Sequence, residues 1–252
     1  MKKYLMLIAL AAVAAVSCEK NFDVDYTSRM TGSQAAQKVD QDPSFLASYV
    51  NGFYAYMVQF NTQASSSNVH DDYGLLSVYL NLELMGADIV NAGTPNWGQY
   101  DYLQDYGQQD FRRTYQHWNF YYTMINNSNA VIDFFVAGED PTDATAKGYL
   151  GQAYILRAMA YTELLYQYLN PVDANGALNL EAPAVPLVFA TRDGRSVDEA
   201  TEKGGRNTMA VVMEHIEENI ALALPLLEGY ARGSKTEIDL SVAQGIAARY
   251  YL

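Results

Sequence analysis

The chain has 252 residues, 50% of them hydrophobic, enough for a full core and for one or two domains. Sixteen Lys and Arg stand against 29 Asp and Glu, a formal net charge of −13. That charge argues against nucleic acid and anionic membrane surfaces as partners, and it is compatible with neutral ligands such as sugars. The 21 tyrosines often sit in or beside Gly/Asn/Gln-rich stretches, where a flat apolar ring with a polar tip suits sugar or peptide contacts. Taken one at a time, each is an ordinary half-buried tyrosine.

The chain opens with Lys2 and Lys3, then an apolar run from Tyr4 to Val16. That run is too short for a membrane span and right for a signal peptide over 1–17. Its loss would leave 14 cationic against 29 anionic residues, a charge of −15. The one cysteine, Cys18, excludes an internal disulfide. Ala15-Val16-Ser17-Cys18 is similar to a bacterial lipobox, with Ala15 where Leu is commoner, so Cys18 is the expected lipidation site and membrane anchor. Residues 18–42 are polar and aperiodic and read as a lipidated N-terminus and leader. The body is 43–252.

Asp42 is expected to cap a helix opened by Pro43, with Phe45, Tyr49, Phe53, Tyr56 and Phe60 at helical spacing. A loop spans 61–68. His70-Asp71-Asp72 resembles a metal site, but adjacent residues cannot all face one ion and no partner cluster is visible, so no metal is expected. Asp71 or Asp72 is read as a helix start, with a helix from Tyr73 to Glu83 or Met85, ended by Gly86.

Residues 91–110 hold Trp97, Tyr100, Tyr102 and Tyr106 among Gly, Asn, Gln, Asp and Pro, without periodicity. A loop of that length is uncommon unless it is functional. Aromatics interleaved with amides suit carbohydrate: sugar C–H faces stack on rings while amides and carboxylates bond the hydroxyls. Asn96, Trp97, Tyr100 and Tyr102 are therefore the candidate glycan contacts. The competing reading tucks these rings back as loop anchors.

A long helix is expected over 111–137, with Tyr115, Trp118, Tyr122, Ile125, Ile132 and Val136 on one face. Asn129 falls on the buried face and should bond backbone or another helix. His117 reads as a satisfied, partly buried histidine rather than a catalytic one. Asn126-Asn127-Ser128 matches a glycosylation sequon by chance.

The central helix is expected over 145–169, with Leu150, Tyr154, Arg157, Tyr161, Leu165 and Tyr168 at three- and four-residue spacing. Small residues at Gly151, Ala153, Ala158 and Ala160 permit close approach of neighbours. Arg157 beside the stripe either snorkels at an edge or, the favoured reading, pairs internally with a carboxylate or a helix C-terminus.

A second long loop covers 170–205 and contains an extended apolar segment, Ala184 to Phe189, expected to lie across the bundle. Asn207 or Thr208 caps a helix over 209–224, with Val212, Ile216, Ile220 and Ala223 inward and Pro225 marking an end or kink. Glu214, Glu217 and Glu218 flank that stripe and are expected to be solvent-exposed. Asp239 or Ser241 starts a last helix that reaches Leu252 in mid-pattern, so a C-terminal continuation is expected. The pairs 111–137 with 145–169 and 207–224 with 240–252 are similar to tetratricopeptide-like helical hairpins, giving an all-α fold class with long irregular ligand-face loops.

Several of these residues together carry a resemblance: Trp118, Tyr122 and Ile125-Asn126; Gly151-Gln152-Ala153-Tyr154; Leu156-Arg157-Ala158-Met159-Ala160-Tyr161; Val185-Pro186-Leu187; Leu224-Pro225; and Ala247-Ala248-Arg249-Tyr250-Tyr251-Leu252. With Cys18 they resemble the SusD/RagB family of Bacteroidetes outer-membrane lipoproteins. The resemblance implies four tetratricopeptide-like units under a loop-rich ligand face, acting as a lid over a SusC-like TonB-dependent transporter in nutrient uptake. It implies a surface-exposed, lipid-anchored protein of the outer membrane, and Glu19, Asp23 and Asp25 are similar to the acidic surface-export signal of such lipoproteins.

The leading expectation is a glycan-binding lipoprotein that delivers oligo- or polysaccharide to that transporter, without catalytic residues or cofactor. Alternatives are a RagB-like peptide binder and a transporter-associated scaffold with no ligand of its own. A glycoside hydrolase would need paired carboxylates, and the candidates Asp71/Asp72, Asp101/Asp105 and Glu217/Glu218 lack plausible partners.

Overall fold

A computed structural model describes residues 32–59, 72–86, 112–135, 137–195 and 205–252. The chain divides into two units at Gln37/Lys38, and the second, Lys38–Leu252, holds the body of the fold. Among the described residues there are seven α-helices and two isolated β-bridges, an all-α fold. The helices are α1 (Gly32–Gln41), α2 (Ala47–Met57), α3 (Leu75–Met85), α4 (Arg112–Ile132), α5 (Ala144–Tyr168), α6 (Met209–Leu226) and α7 (Leu240–Tyr251). The leader expected to be aperiodic over 18–42 contains a helix at Gly32–Gln41, and Val39 is buried.

α5 is the axis of the bundle. Asp143 caps it, its carboxylate accepting from the Thr145 and Ala146 amides at 2.9 Å each. From Gly148 to Leu165 every residue but Met159 is buried, so this helix is covered on all sides rather than along one stripe. α4 and α6 pack along it, and α7 and α2 touch it. Gly151 meets the end of α6: a Cβ there would lie 2.8 Å from Leu227 Cγ and 3.2 Å from the Ala223 carbonyl oxygen. Small residues at this level are what let the two backbones approach.

Asp42 caps as expected, accepting from the Ser44 amide at 3.0 Å, but Pro43 opens a single 3₁₀ turn, Pro43–Leu46, before α2 begins. α3 starts at Leu75 without a side-chain cap, and Asp72 is fully buried upstream of it. Ser77 does the local work instead: its Oγ accepts from the Tyr73 amide and donates to the Gly74 carbonyl. α4 is shorter than the periodicity suggests. Beyond Ile132 the amides of Phe134 and Phe135 bond three residues back, so the helix tightens and stops. Tyr115 is exposed; the buried face instead carries Phe120, Tyr121, Met124, Ile125, Val131 and Ile132. α6 runs through Pro225 and ends one residue later, since a proline in the last turn removes little of the ladder. Thr208 and Asp239 cap α6 and α7, accepting from the Val211 and Val242 amides.

Two buried polar junctions tie helices to α5. His117 on α4 bonds Asn81 on α3 (3.2 Å) and Gln167 on α5 (2.8 Å). Glu163 on α5 accepts from Arg249 Nη2 on α7 (2.8 Å) and from the Tyr79 hydroxyl on α3 (3.3 Å). Burial raises the pKa of Glu163, and the Arg249 charge opposes that rise.

Candidate functional site

Polar side chains from α4, from α6 and from the loop between α5 and α6 converge on Arg157. Its side chain is only 1% exposed, in mid-α5, and cannot reach water, so every N–H needs a protein partner. Nε donates to Asn219 Oδ1 on α6 (2.8 Å), and Nη1 donates to Asn129 Oδ1 on α4 (2.7 Å). Nη1 and Nη2 together grip the carboxylate of Asp193, at 2.7 and 3.2 Å. This is the fork-to-fork pairing that a planar guanidinium favours. Arg157 is therefore internally paired, as the sequence suggested.

Asp193 belongs to a 3₁₀ turn, Thr191–Asp193, at the end of a buried strap. The strap, residues 183–190, crosses α4 and α5 in extended form with Ala184, Val185, Leu187 and Ala190 buried. Among the described residues no strand flanks it along most of its length, and helix side chains bond its backbone. Tyr122 Oη donates to the Pro186 carbonyl (2.7 Å), Asn129 Nδ2 to the Val188 carbonyl (3.1 Å), and the Val188 amide donates to Tyr161 Oη (2.7 Å). At its start the Ala184 amide donates to the Asn207 carbonyl and the Asn207 amide to the Val185 carbonyl, and Arg206 donates to the carbonyls of Pro183 and Ala184. At its end, Asp193 accepts from the Ala190 amide while holding Arg157. Gly194, at φ 66°, closes the turn in the left-handed region.

Beside this node lies a cleft of about 490 Å³ between α5, α6 and the turn. Tyr154, Arg157, His215 and the Arg192 side chain, all buried, line it, Arg195 stands exposed beside it, and Leu222 gives it an apolar side. Arg192 Nη2 pairs with Asp140 (3.2 Å) and Arg195 Nη2 with Glu218 (2.8 Å). Glu214 and Glu217 are exposed, as expected of that helix face, and Glu218 is partly so.

His215 packs edge-on to Tyr161 and Phe189, with Nε2 3.3 Å from Asn219 Nδ2. Burial and then the Arg157 charge push its pKa down to about 4, against the pull of Asp193 and Glu218. An unfolded His takes its proton near 6.5, and the folded one resists until about 4. Between those values the unfolded chain binds more protons, so stability is full above pH 6.5, falls as pH drops through the window and levels off below it. At 1.36 kcal/mol per pH unit the loss amounts to about 3 kcal/mol. Urea unfolding from pH 7 to 4 should show this fall, and His215→Gln should flatten it; an unchanged slope in the variant would assign the effect to other groups.

The predicted glycan contacts Asn96, Trp97, Tyr100 and Tyr102 lie outside the described residues, as do Cys18, His70, Asp71, Asp101 and Asp105. Among the described residues no group of three or more His, Cys, Asp or Glu is placed to hold a metal ion, and no helix is long and apolar enough to cross a membrane. The Arg157–Asp193 pair was half visible in sequence. Arg157 announced itself as a charge beside an apolar stripe, whereas Asp193, in an irregular loop, carried no signal of its role.

The architecture defines a class: a tetratricopeptide-like helical scaffold that spends its buried polar side chains on holding irregular segments against its flank. Residues 34–252 match the SusD-like family described as "starch-binding associating with outer membrane", and the chain belongs to that family. Two solved structures from Bacteroides vulgatus share the fold. A "SusD-like carbohydrate binding protein" is 20% identical, with a TM-score of 0.64 over 88% of this chain and 41% of that one. A "Putative sugar binding protein" is 24% identical, with a TM-score of 0.54 over 83% of this chain and 42% of that one. The chain thus spans about two fifths of the length of these structures. No curated protein matches it.

Proposed function

We propose that this chain is a surface lipoprotein that binds oligo- or polysaccharide and passes it to a TonB-dependent outer-membrane transporter. The observation that carries this reading is the family match over 34–252, whose description joins starch binding to the outer membrane. The names of both structural neighbours favour sugar over peptide as ligand. The net charge of −13 and the wealth of tyrosine support a neutral, ring-stacked ligand. In this reading residues 1–17 are the signal peptide, Cys18 carries the lipid at the head of the 18–42 leader, and 43–252 is the binding body. The role is capture rather than catalysis. Asn96, Trp97, Tyr100 and Tyr102 supply ring faces and hydroxyl-bonding groups on the ligand-facing loop.

The test is binding to a panel of soluble polysaccharides with and without Trp97→Ala. Saturable binding that weakens by roughly 1–3 kcal/mol on losing the indole is the expected outcome, the range seen where rings stack on an aromatic platform. Binding that is indifferent to the substitution would move the site away from 91–110. No binding to any glycan would overturn the saccharide reading and turn the search to peptides. The anchor is tested separately: Cys18→Ala should release the protein from the membrane fraction.

A further inference from the structure

We infer that the hairpin at 171–180 docks this chain onto its transporter, its aliphatic face entering an apolar pocket rimmed by lysine or arginine. The inference rests on the transporter reading above and concerns other residues than the glycan loop. The Asp173 amide donates to the Ala177 carbonyl (2.9 Å) and the Asn179 amide to the Pro171 carbonyl (2.8 Å). Val172 and Leu178 lie between those bonds as an antiparallel pair, so their side chains stand side by side on one face. Both meet solvent, Val172 44% and Leu178 66% exposed. Leu180 is exposed too. Its carbonyl accepts from the Ala210 amide at 2.9 Å, which brings it to the start of α6, where Val211 is also exposed. Single exposed aliphatics are ordinary; four at one hairpin and the helix end it meets form a patch.

The hairpin is fixed in shape before any partner arrives. Asp173 Oδ1 accepts from the Asn175 and Ala177 amides (2.8 and 2.9 Å), and Gly176, at φ 78°, turns the chain between them. Asn179 Oδ1 accepts from the Glu181 amide (3.0 Å), and the Met209 amide ties the return to the Ala182 carbonyl (2.9 Å). A loop held this way loses little freedom on binding. Charge decides what the face can meet. Residues 170–190 contain two ionisable side chains, the exposed carboxylates Asp173 and Glu181, and no cation. Arg206, behind the return, turns to the carbonyls of Pro183 and Ala184. A second copy would bring the same net charge of −13 against these acids, and an anionic lipid surface would repel them as well. A pocket with an apolar floor and a cationic rim answers both the aliphatic face and its acids, in the core-and-rim arrangement of protein interfaces. The proposed function supplies one protein that must meet this chain, the transporter.

The test is surface plasmon resonance of the full chain on the purified TonB-dependent transporter in detergent, at low and high salt. The parent chain should bind saturably, and associate more slowly as salt rises. Leu178→Glu, which would bury an unpaired charge, should weaken binding by about tenfold or more. Its glycan binding and melting temperature should match the parent, since Leu178 is exposed. Val172→Ser with Leu178→Ser, which adds no charge, should weaken binding in the same direction. Glu181→Gln should slow association and flatten the salt dependence. Leu178 and Val172 variants that bind like the parent would overturn the inference and leave the transporter reading standing. So would parent binding indifferent to salt, and so would sedimentation showing that the parent self-associates through Leu178, which would make this face a contact between copies. No binding of the parent to the transporter would overturn this inference and the transporter reading together.

Discussion

Arg157→Met should cost this fold about 3 kcal/mol, close to the lower end of the loss measured when one member of a buried ion pair is removed. Methionine fills the space of the arginine stem, so packing within α5 changes little. What is lost is the cation that Asp193, Asn129 and Asn219 all face. Asp193 opens onto the cleft and can recover some hydration, which is why the lower end applies. Each kcal/mol lowers the melting temperature of a domain this size by roughly 2–4 °C, so calorimetry should find a fall of about 10 °C. The double variant Arg157→Met with Asp193→Leu should recover part of that loss, because the stranded carboxylate is gone. A fall below about 1 kcal/mol for the single variant would show that the node is not a keystone of the fold.

The same node shows what the sequence could and could not express. The spacing through α5 placed Leu150, Tyr154, Tyr161 and Leu165 inside, and all are buried. It missed that the opposite face is buried as well, since a helix wrapped by neighbours on every side has no stripe to find. Caps were legible at Asp42, Thr208 and Asp239 because the capping oxygen acts on amides two or three residues away. Asp193 acts on an arginine 36 residues earlier, and nothing local to it encodes that. The strap was legible as an extended apolar run from Ala184, but its hydrogen-bond partners Tyr122, Asn129 and Tyr161 lie on two other helices. Of the candidate site, composition singled out the aromatic loop 91–110. The cleft escaped notice because Arg192, Arg195, Glu218 and Asp140 become neighbours only when the turn at 191–193 is pinned to Arg157. Tertiary contacts of that kind carry no sequence period.

The second large effect should come from Gly151→Val. A Cβ at this position would sit 2.8 Å from Leu227 Cγ, 3.1 Å from Leu226 Cβ and 3.2 Å from the Ala223 carbonyl oxygen. The leucine carbons could give way alone. The carbonyl cannot, because it is held in the last turn of α6 and accepts from the Leu227 amide at 3.1 Å. Valine adds two methyl groups to that contact and restricts its own rotamer within a helix. The end of α6 must then move off α5, at a cost of about 2–3 kcal/mol for overpacking a well-filled core. Gly52→Ala provides the contrast. Gly52 lies within α2, is exposed, and has nothing within 4 Å of the added Cβ. Alanine there should stabilise by roughly 0.5–1 kcal/mol, since it removes unfolded-state entropy and meets no neighbour. Parallel denaturant titrations of the two variants should therefore move in opposite directions. A Gly151→Val midpoint equal to that of the parent would mean that α5 and α6 are not in close contact at this level, and that the small residues of α5 serve some purpose other than the approach of two helices.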